Sequence, residues 1–307
     1  MSNSPYTIRN YRPADFNKYV QLNIEAANLE PTGRCISPQV ISESLGRPNY
    51  SLEQDLFIVE IAESIVGYMD VTPELKIRRV ILNCFIHPDH KRKGLASKFL
   101  DYAMPRAKEL GVNVAQINIL QDNVVAESGL LKLGFKFVRR FLELGLDITK
   151  ARWQDVDQTA LPYRPLQSGE EDKLTQLQNR AFADTWGYNP SIVEEIVYRI
   201  NSVDCSPEEI VLTYDGDEII GYCWTRICQT ATGEKKGQIH MLGVAPDYRG
   251  RGIGKGILLA GLSYIKNKGL PIVELTVDSE NKAACALYRS VGFKVRTSSL
   301  WYEKVVD

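Results

Sequence analysis

The spacing of apolar residues predicts strands and helices in one mixed order that occurs twice along the chain. Residues 257–265 place their apolar side chains on one helix face, and Gly269 ends this predicted helix. The runs VAQINIL and IVELTV are typical of buried strands, and Asp215-Gly216 between two β-rich runs predicts a hairpin. Each half therefore has the order strand, helices, hairpin, strand, glycine-rich loop, helix, strand, helix, strand, which predicts a mixed α/β fold.

A long internal repeat supports this order. Residues 86–135 align without a gap on residues 244–293, at a constant offset of 158. Most residues that coincide are glycines, prolines and asparagines, whose backbone geometry is hard to replace. The pairs are Pro88/Pro246, Asp89/Asp247, Gly94/Gly252, Gly111/Gly269, Asn123/Asn281, Gly134/Gly292 and Phe135/Phe293. We therefore predict two tandem domains related by internal duplication, residues 1–150 and 160–307, with a linker in 149–162.

The composition is that of a folded protein of two domains. The chain has 307 residues, 44% of them hydrophobic, and 37 basic residues nearly balance 38 acidic ones. The net charge of −1 argues against a nucleic-acid partner. The polar start, with no apolar run long enough to span a bilayer, favours a cytoplasmic protein without a membrane partner. Six scattered cysteines, no CxxC pair and three histidines predict no metal site.

The segment RGRGIGKG, residues 249–256, has the features of a phosphate-binding loop. It follows a probable strand and opens a helix, where free backbone N–H groups and the helix dipole attract anions. A Walker A loop is excluded because Lys255 is followed by Gly256 and the glycine spacing fails. A Rossmann fingerprint is excluded because no GxGxxG register exists.

The remaining pattern, Arg249-Gly250-Arg251-Gly252-Ile253-Gly254, resembles the pyrophosphate loop of the GNAT superfamily of N-acetyltransferases. The segment NKAACALYRSVGF resembles the asparagine-containing helix of the same family. The resemblance implies that the second domain binds acetyl-CoA, as a co-substrate and without a metal. The implied contacts are Leu242, Gly243, Val244, Arg249, Gly250, Arg251, Gly252, Ile253, Gly254, Lys255, Asn281 and Tyr288. Two such domains, with NRAFADTWGY opening the second, resemble the mycothiol synthase type of tandem acetyltransferase.

Family members usually let the amine attack the thioester directly, so the protein orients two substrates and moves two protons. By resemblance, main-chain N–H groups near Leu242 to Val244 face the thioester carbonyl, and Tyr288 protonates the departing thiolate. The base is less clear. Gln238 holds the position of a glutamate in mycothiol synthase-like members, and an amide cannot accept the proton. His240 is the candidate replacement, with a structural strand histidine and a water chain as the alternatives.

Three further residues, Asp184, Trp186 and Tyr188, are candidates for the acceptor cleft together with Gln238, although aromatic residues after a helix often belong to the core. The first domain has Leu130 where the second has Tyr288. The gapless offset also places Val80 opposite Gln238 and Leu82 opposite His240. None of these residues can move a proton, so we expect catalysis in the second domain alone.

The first domain nevertheless keeps a basic loop, so we expect it to be either structural or able to retain CoA. The candidate residues of this second CoA site are Ile86, Lys91, Arg92, Lys93, Gly94, Leu95, Ala96 and Asn123. The run KRK is also consistent with a solvated helix start. The sequence thus favours an enzyme that acetylates the primary amine of a small molecule. A peptide or protein N-terminal acetyltransferase and a catalytically silent CoA-binding module remain as alternatives.

Overall fold

The chain folds into strands and helices in the order that the sequence pattern predicts. The structure is a computed structural model, and it describes residues 5–29, 37–150, 162–229, 233 and 235–307. The elements of the first half are β1 Thr7–Asn10, α1 Phe16–Leu29, α2 Pro38–Leu45, α3 Leu52–Asp55, β2 Leu56–Ile61, β3 Ser64–Glu74, β4 Arg79–Ile86, α4 Leu95–Glu109, β5 Val114–Leu120, α5 Val124–Lys132 and β6 Lys136–Asp147. Those of the second half are β7 Tyr163–Pro165, α6 Glu171–Phe182, α7 Val193–Ile200, β8 Ile210–Asp215, β9 Glu218–Gln229, β10 Lys235–Val244, α8 Ile253–Asn267, β11 Ile272–Asp278, α9 Lys282–Val291 and β12 Lys294–Val305.

The chain divides into two compact units whose borders do not follow the sequence halves. Unit 1 comprises Met1–Arg139 and Ser299–Asp307, and unit 2 comprises Arg140–Ser298. The sheet of unit 1 has the strand order β1-β2-β3-β4-β5-β12, and that of unit 2 has the order β6-β11-β10-β9-β8-β7. Most of the predicted linker, residues 151–161, lies outside the described residues.

The last strand of each half joins the sheet that the other half builds. Residues 299–305 of β12 pair antiparallel with β5, so that Val305 lies opposite Val114. Residues 141–147 of β6 pair antiparallel with β11, so that Ile272 lies opposite Asp147. The sequence-based boundaries of 1–150 and 160–307 differ from these units because periodicity identifies a strand but not its partner.

Each sheet has an apolar core on both faces. In unit 2, α8 buries Ile257, Leu258 and Leu262 completely against one face, which confirms the predicted helix face. Helices α6 and α7 cover the other face, where Trp224 is completely buried. In unit 1, α4 buries Phe99 in the same way, while α1 and α2 pack on the opposite face.

The backbone confirms the internal duplication in detail. Asn123 and Asn281 both cap a helix, since each side-chain oxygen accepts the N–H three residues later, of Ala126 at 3.1 Å and of Ala284 at 3.0 Å. The glycines that precede α4 and α8 have φ of 74° and 83°, a left-handed conformation that favours glycine. The two halves are therefore copies of one fold.

A buried ion pair of unit 1 is represented in unit 2 by its acidic member alone. Asp55, just before β2, accepts a main-chain N–H from Ser51 and forms an ion pair of 2.8 Å with Arg106. Glu209, just before β8, holds the same place in unit 2 as Asp55 in unit 1 and is also buried. By the offset of 158, the residue of unit 2 that corresponds to Arg106 is Tyr264. The Oε2 atom of Glu209 has no hydrogen-bond partner among the described residues. Burial raises the pKa of Glu209 to about 7.

This carboxyl group makes the stability of the protein depend on pH. The unfolded chain releases the Glu209 proton near pH 4.5, whereas the folded chain holds it to about pH 7. The contribution of this protonated carboxyl group to the free energy of unfolding is therefore complete below pH 4.5 and is lost as the pH rises from 4.5 through about 7. We predict that Glu209→Gln raises the free energy of unfolding at pH 8 by about 1–3 kcal/mol and has little effect at pH 4.5. Tyr264→Arg, which restores the ion-pair partner, is expected to act in the same direction.

Urea unfolding of the full chain at both pH values measures the effect. The matched control is Glu208→Gln, because Glu208 is the exposed neighbour on the same turn. An equal effect of Glu208→Gln and Glu209→Gln, or none of either at pH 8, would contradict the prediction.

The exchanged strands also predict how fragments behave. A fragment of residues 160–307 lacks β6, so one edge of β11 has no strand to pair with. We predict that this fragment does not unfold cooperatively and aggregates, whereas the full chain is soluble. Supplying residues 136–150 as a separate peptide should restore cooperative unfolding, as followed by circular dichroism. Cooperative unfolding of the fragment alone would refute the role given to β6.

Candidate active site

Strand β10 contains a β-bulge at His240. Its pairing with β9 runs regularly from Lys235 to Ile239 and then shifts, so that Ile239 lies opposite Thr225 and Met241 opposite Trp224. His240 is thus one residue more than the partner strand can match. The equivalent strand of unit 1, β4, pairs with β3 from Arg79 to Ile86 without a shift. Bulges of this kind re-aim side chains and frequently lie beside active sites.

The bulge corrects the residue equivalences that the gapless offset suggests. The last residues of the two strands, Ile86 and Val244, both lie opposite a glycine of the neighbouring strand. Counting back along the pairing from there, Leu82 corresponds to Ile239, Ile81 corresponds to Gln238, and His240 has no counterpart. The expected matches of Val80 with Gln238 and of Leu82 with His240 are therefore wrong, because the additional residue lies upstream of the aligned segment. Ile81 and Leu82 still cannot move a proton.

One edge of β10 opens at the same point. Parallel pairing with β11 ends at Gln238 opposite Glu274, so among the described residues no strand pairs with that edge from Ile239 to Val244. In unit 1 the corresponding pairing continues for one more residue, to Leu82 opposite Ile117. The main chain of Leu242, Gly243 and Val244 therefore lies along an open edge, available to donate and accept hydrogen bonds.

The glycine loop after β10 presents a cluster of free main-chain donors. Gly250 and Gly252 have φ of 76° and 83°. Within the described chain, no hydrogen bond engages the N–H groups of the five residues from Gly250 to Gly254, whereas the N–H of Lys255 bonds the carbonyl of Gly252. Such a row of N–H groups at a helix start is a binding site for phosphate oxygens.

The two arginines of the loop hold its conformation. Arg249 donates to the main-chain carbonyls of Val244 at 3.3 Å and Ala181 at 2.6 Å, and Arg251 donates to that of Asp247 at 2.9 Å. They contribute positive charge from these positions, and part of their donors is used in these contacts. Lys255 and Arg251 are exposed at the surface of the loop.

The loop of unit 1 has the same geometry with different residues. Arg92 has φ of 63°, the left-handed conformation of Gly250, and Gly94 has that of Gly252. The N–H groups from Arg92 to Ala96 likewise bond to no described residue, whereas that of Lys91 bonds the carbonyl of Pro88. The side chains differ between the two loops, while the row of donors is retained.

Tyr288 lies on the α8 and α9 side of β10. Its ring packs edge-on against Phe293 and is 7% exposed. Burial, with a smaller effect of the Cys223 and Cys285 thiols, raises the pKa of Tyr288 well above its usual value, so the phenol is protonated at neutral pH. Cys223 lies opposite Leu242 in the sheet, which places Tyr288 behind the open edge. The hydroxyl forms no hydrogen bond within the described part of the chain.

His240 lies on the other side of the strand. Its ring packs edge-on against Trp224, with 5.6 Å between ring centroids, and Trp224 belongs to the core under α6 and α7. Desolvation, followed by the positive charges of Arg226 and Arg199, lowers the pKa of His240 well below its usual value. The imidazole is therefore uncharged at neutral pH. Its lowered pKa also makes it a weak base.

The other acceptor-side candidates are mostly engaged in local structure. Tyr188 donates to Asn179 at 2.7 Å and stacks on Phe182, and Trp186 packs against Phe141. Asp184 is exposed, and the oxygen of Gln238 lies 3.8 Å from the Cys228 sulfur. Sequence analysis missed Arg199, Trp224 and Arg226, although the alternation in YCWTR places Tyr222, Trp224 and Arg226 on one face of β9.

In the described part of the chain, no group of three or more His, Cys, Asp or Glu side chains is arranged to hold a metal ion. None of the described helices is both long enough and apolar enough to cross a membrane.

Comparison with known proteins places this geometry in a family. The family model described as the acetyltransferase (GNAT) family matches residues 33–135 and 172–293. A mycothiol acetyltransferase from Amycolatopsis mediterranei is 27% identical over 245 residues, which cover 78% of this chain and 80% of that protein. A GCN5-related N-acetyltransferase structure from Sphaerobacter thermophilus has a TM-score of 0.73 at 22% identity, over 100% of this chain and 97% of that one. A tandem GNAT protein from the clavulanic acid biosynthesis pathway has a TM-score of 0.69 at 14% identity, over 98% and 99%.

The two solved structures share the fold over nearly the whole chain, and the tandem neighbour matches the duplication seen here. The family model covers well over half of the residues and includes both glycine loops. The resemblance inferred from the loop and the α9 motif is thus confirmed, and the chain belongs to the GNAT family of acetyltransferases.

Proposed function

We propose that this protein transfers the acetyl group of acetyl-CoA to the primary amine of a small molecule, and that the chemistry takes place in unit 2. The observation that carries the proposal is the bulge in β10, which lies where a strand edge opens between a protonated phenol and a neutral imidazole. Unit 1 has neither the bulge nor the phenol. The relatives named mycothiol acetyltransferases support a small-molecule acceptor.

The free N–H groups of Gly250 to Gly254 hold the pyrophosphate, and the open edge at Leu242 to Val244 binds the pantetheine arm and the thioester carbonyl. Main-chain donors fixed at this edge stabilise the negative charge that develops on the carbonyl oxygen. The amine attacks the carbonyl carbon directly, the carbon–sulfur bond breaks, and Tyr288 donates its proton to the departing sulfur. In water a phenol and a thiol have similar pKa values. Burial raises the pKa of Tyr288, so the phenol keeps its proton until negative charge develops on the sulfur beside it.

The second proton leaves the amine on the acceptor side of β10. His240 is neutral and lies on that side, so it can accept a hydrogen bond from the amine or from a water molecule next to it. Its low proton affinity favours a relay to solvent over storage of the proton on the ring. The base in this proposal is therefore water that His240 orients.

Unit 1 is proposed as a second CoA site without chemistry. Its loop has the same left-handed positions and the same row of free N–H groups as the loop of unit 2. Leu130 occupies the place of Tyr288 and is buried in the core, where it cannot donate a proton. A silent CoA site beside a working one is consistent with both observations.

The two loops allow a matched test of acetyl-CoA binding. We predict that Gly252→Val abolishes turnover and weakens the binding of acetyl-CoA to unit 2 at least about tenfold, because valine is strained by about 1–3 kcal/mol in the left-handed region. The matched variant is Gly94→Val, which makes the same change in unit 1 and is expected to leave turnover unchanged. Calorimetry of the full chain measures both sites, and normal acetyl-CoA-dependent turnover in Gly252→Val would rule out this loop as the donor site.

The proton donor is tested by Tyr288→Phe, which removes one oxygen and keeps the ring packing. We predict that kcat falls by about 10² to 10⁴ while the affinity for acetyl-CoA changes little, because a proton donor acts mainly in the transition state. The control is Leu130→Ala in unit 1, which should destabilise the fold by about 2–5 kcal/mol and leave kcat at a temperature below unfolding unaffected. Unchanged kcat in Tyr288→Phe, with chemistry shown to be rate-limiting, would contradict the assignment.

A further inference from the structure

Two arginines converge on the acceptor side of unit 2 with little to neutralise them. Arg226 lies opposite Gln238 in the pairing of β9 with β10, and its guanidinium carbon is 6.0 Å from the Trp224 ring. Arg199 lies on α7, next to Ile200, which packs in the same core as Trp224. Both positive charges act on His240 and lower its pKa. The two positive charges thus act on the bulge residue from different elements.

Neither guanidinium is saturated by the protein. In the described residues, Arg199 forms no side-chain hydrogen bond and no ion pair. Among the residues that the structure describes, the buried Nε atom of Arg226 has no hydrogen-bond partner. The one ion-pair contact of this guanidinium there joins its Nη1 atom to Asp204 at 3.7 Å, beyond hydrogen-bond distance. Glu209 also carries a carboxyl group near Arg226, but the two groups form no ion pair. A half-buried guanidinium with unused donors is costly unless an anion or water completes it.

On the same face of unit 1, an arginine is paired with a carboxylate of the protein itself. Counting along β3 and β9 from Gly67 and Gly221, Asp70 stands where unit 2 has Trp224, and Thr72 stands where it has Arg226. Arg47 donates to Asp70 at 3.0 Å and to Thr72 at 2.9 Å. Its guanidinium also stacks at 3.5 Å on the ring of Tyr50. Unit 1 therefore supplies its own carboxylate to its arginine, whereas unit 2 has an indole in place of that carboxylate and an arginine in place of Thr72.

We propose that the acceptor of this enzyme is a small amine that also carries a carboxylate, as amino acids do. Arg199 and Arg226 bind this carboxylate. The proposal rests on the proposed function. Arginine donors match the two oxygens of a carboxylate in geometry and charge. The edge of His240 then lies beside the rest of the acceptor, and the amine faces the open edge of β10. Arg199 and Arg226 are binding residues in this scheme and take no part in proton transfer.

The proposal is tested with pairs of acceptors that differ only in the carboxylate. CoA release from acetyl-CoA is measured with the full chain and L-phenylalanine against 2-phenylethylamine, L-tyrosine against tyramine, and L-histidine against histamine. We expect the carboxylated member to be preferred in kcat/KM in at least one pair. For that amino acid, Arg199→Gln and Arg226→Gln should each raise KM about tenfold to hundredfold, which corresponds to the loss of one or two charged hydrogen bonds.

A matched control is Arg180→Gln, since Arg180 also lies in unit 2 but is exposed and paired with Glu218. It should leave KM unchanged for every acceptor, and the two arginine variants should leave KM unchanged for the decarboxylated amines. A general structural defect would raise KM for both members of a pair, and that result would overturn the proposal.

The outcomes separate this proposal from the proposed function. Equal or better turnover of the decarboxylated amines keeps the acetyltransferase and overturns the carboxylate site. If no acceptor of either class is turned over, the six compounds are tested as ligands by thermal shift in the presence of acetyl-CoA. Stabilisation by the amino acids that is lost in Arg199→Gln supports the site, and its absence overturns the site. Failure to bind acetyl-CoA at all would overturn the proposed function itself.

Discussion

One additional residue in β10 is the constraint on which the arrangement of unit 2 depends. Ile239, before the bulge, and Leu242, after it, both pack in the core under α8. In a regular strand, residues on the same face are separated by an even number of positions, whereas these two are three apart. The additional residue at the bulge explains this odd spacing, and Met241 packs on the other face, under α6 and α7. Pairing with β11 ends at the bulge, and an edge of main-chain donors is left open from there to Val244. The acetyl-transfer geometry proposed here needs that edge.

The two copies of the fold show which features tolerate change. The glycine loop keeps its backbone geometry even where Arg92 replaces a glycine in the left-handed region, at a cost of about 1 kcal/mol. The row of free N–H groups survives with it. By contrast, the straight strand β4 and Leu130 leave unit 1 without an open edge of equal length and without a proton donor. In the function proposed above, anion binding therefore needs the backbone alone, whereas chemistry needs a few side chains and one additional residue.

The sequence predicted the features that local physics determines. The glycine loop before a helix and the helix face at residues 257–265 follow from backbone geometry and periodicity, and the structure confirms them. The exchange of β6 and β12 was not predictable, since a strand pattern does not name its partner. The bulge was not predicted because the gapless match begins downstream of it, at Val244. The hydrogen bond from Arg249 to Ala181 was not predicted because it joins residues far apart in sequence. Arg199 and Arg226 belong to no motif and become conspicuous only when their neighbours are known.

The charges around His240 bear on both the carboxylate proposal and the proton path. Desolvation is the first cause that lowers the pKa of His240, and the positive charges of Arg226 and Arg199 lower it further, so the free protein holds the imidazole neutral. A carboxylate bound by the two guanidinium groups offsets the effect of their charges, whereas the desolvation of the ring remains. In this proposal the imidazole is therefore a weak base with or without the acceptor, and the amine proton passes to water that His240 orients. The arginines select the acceptor by its charge and leave the proton path to His240 and water.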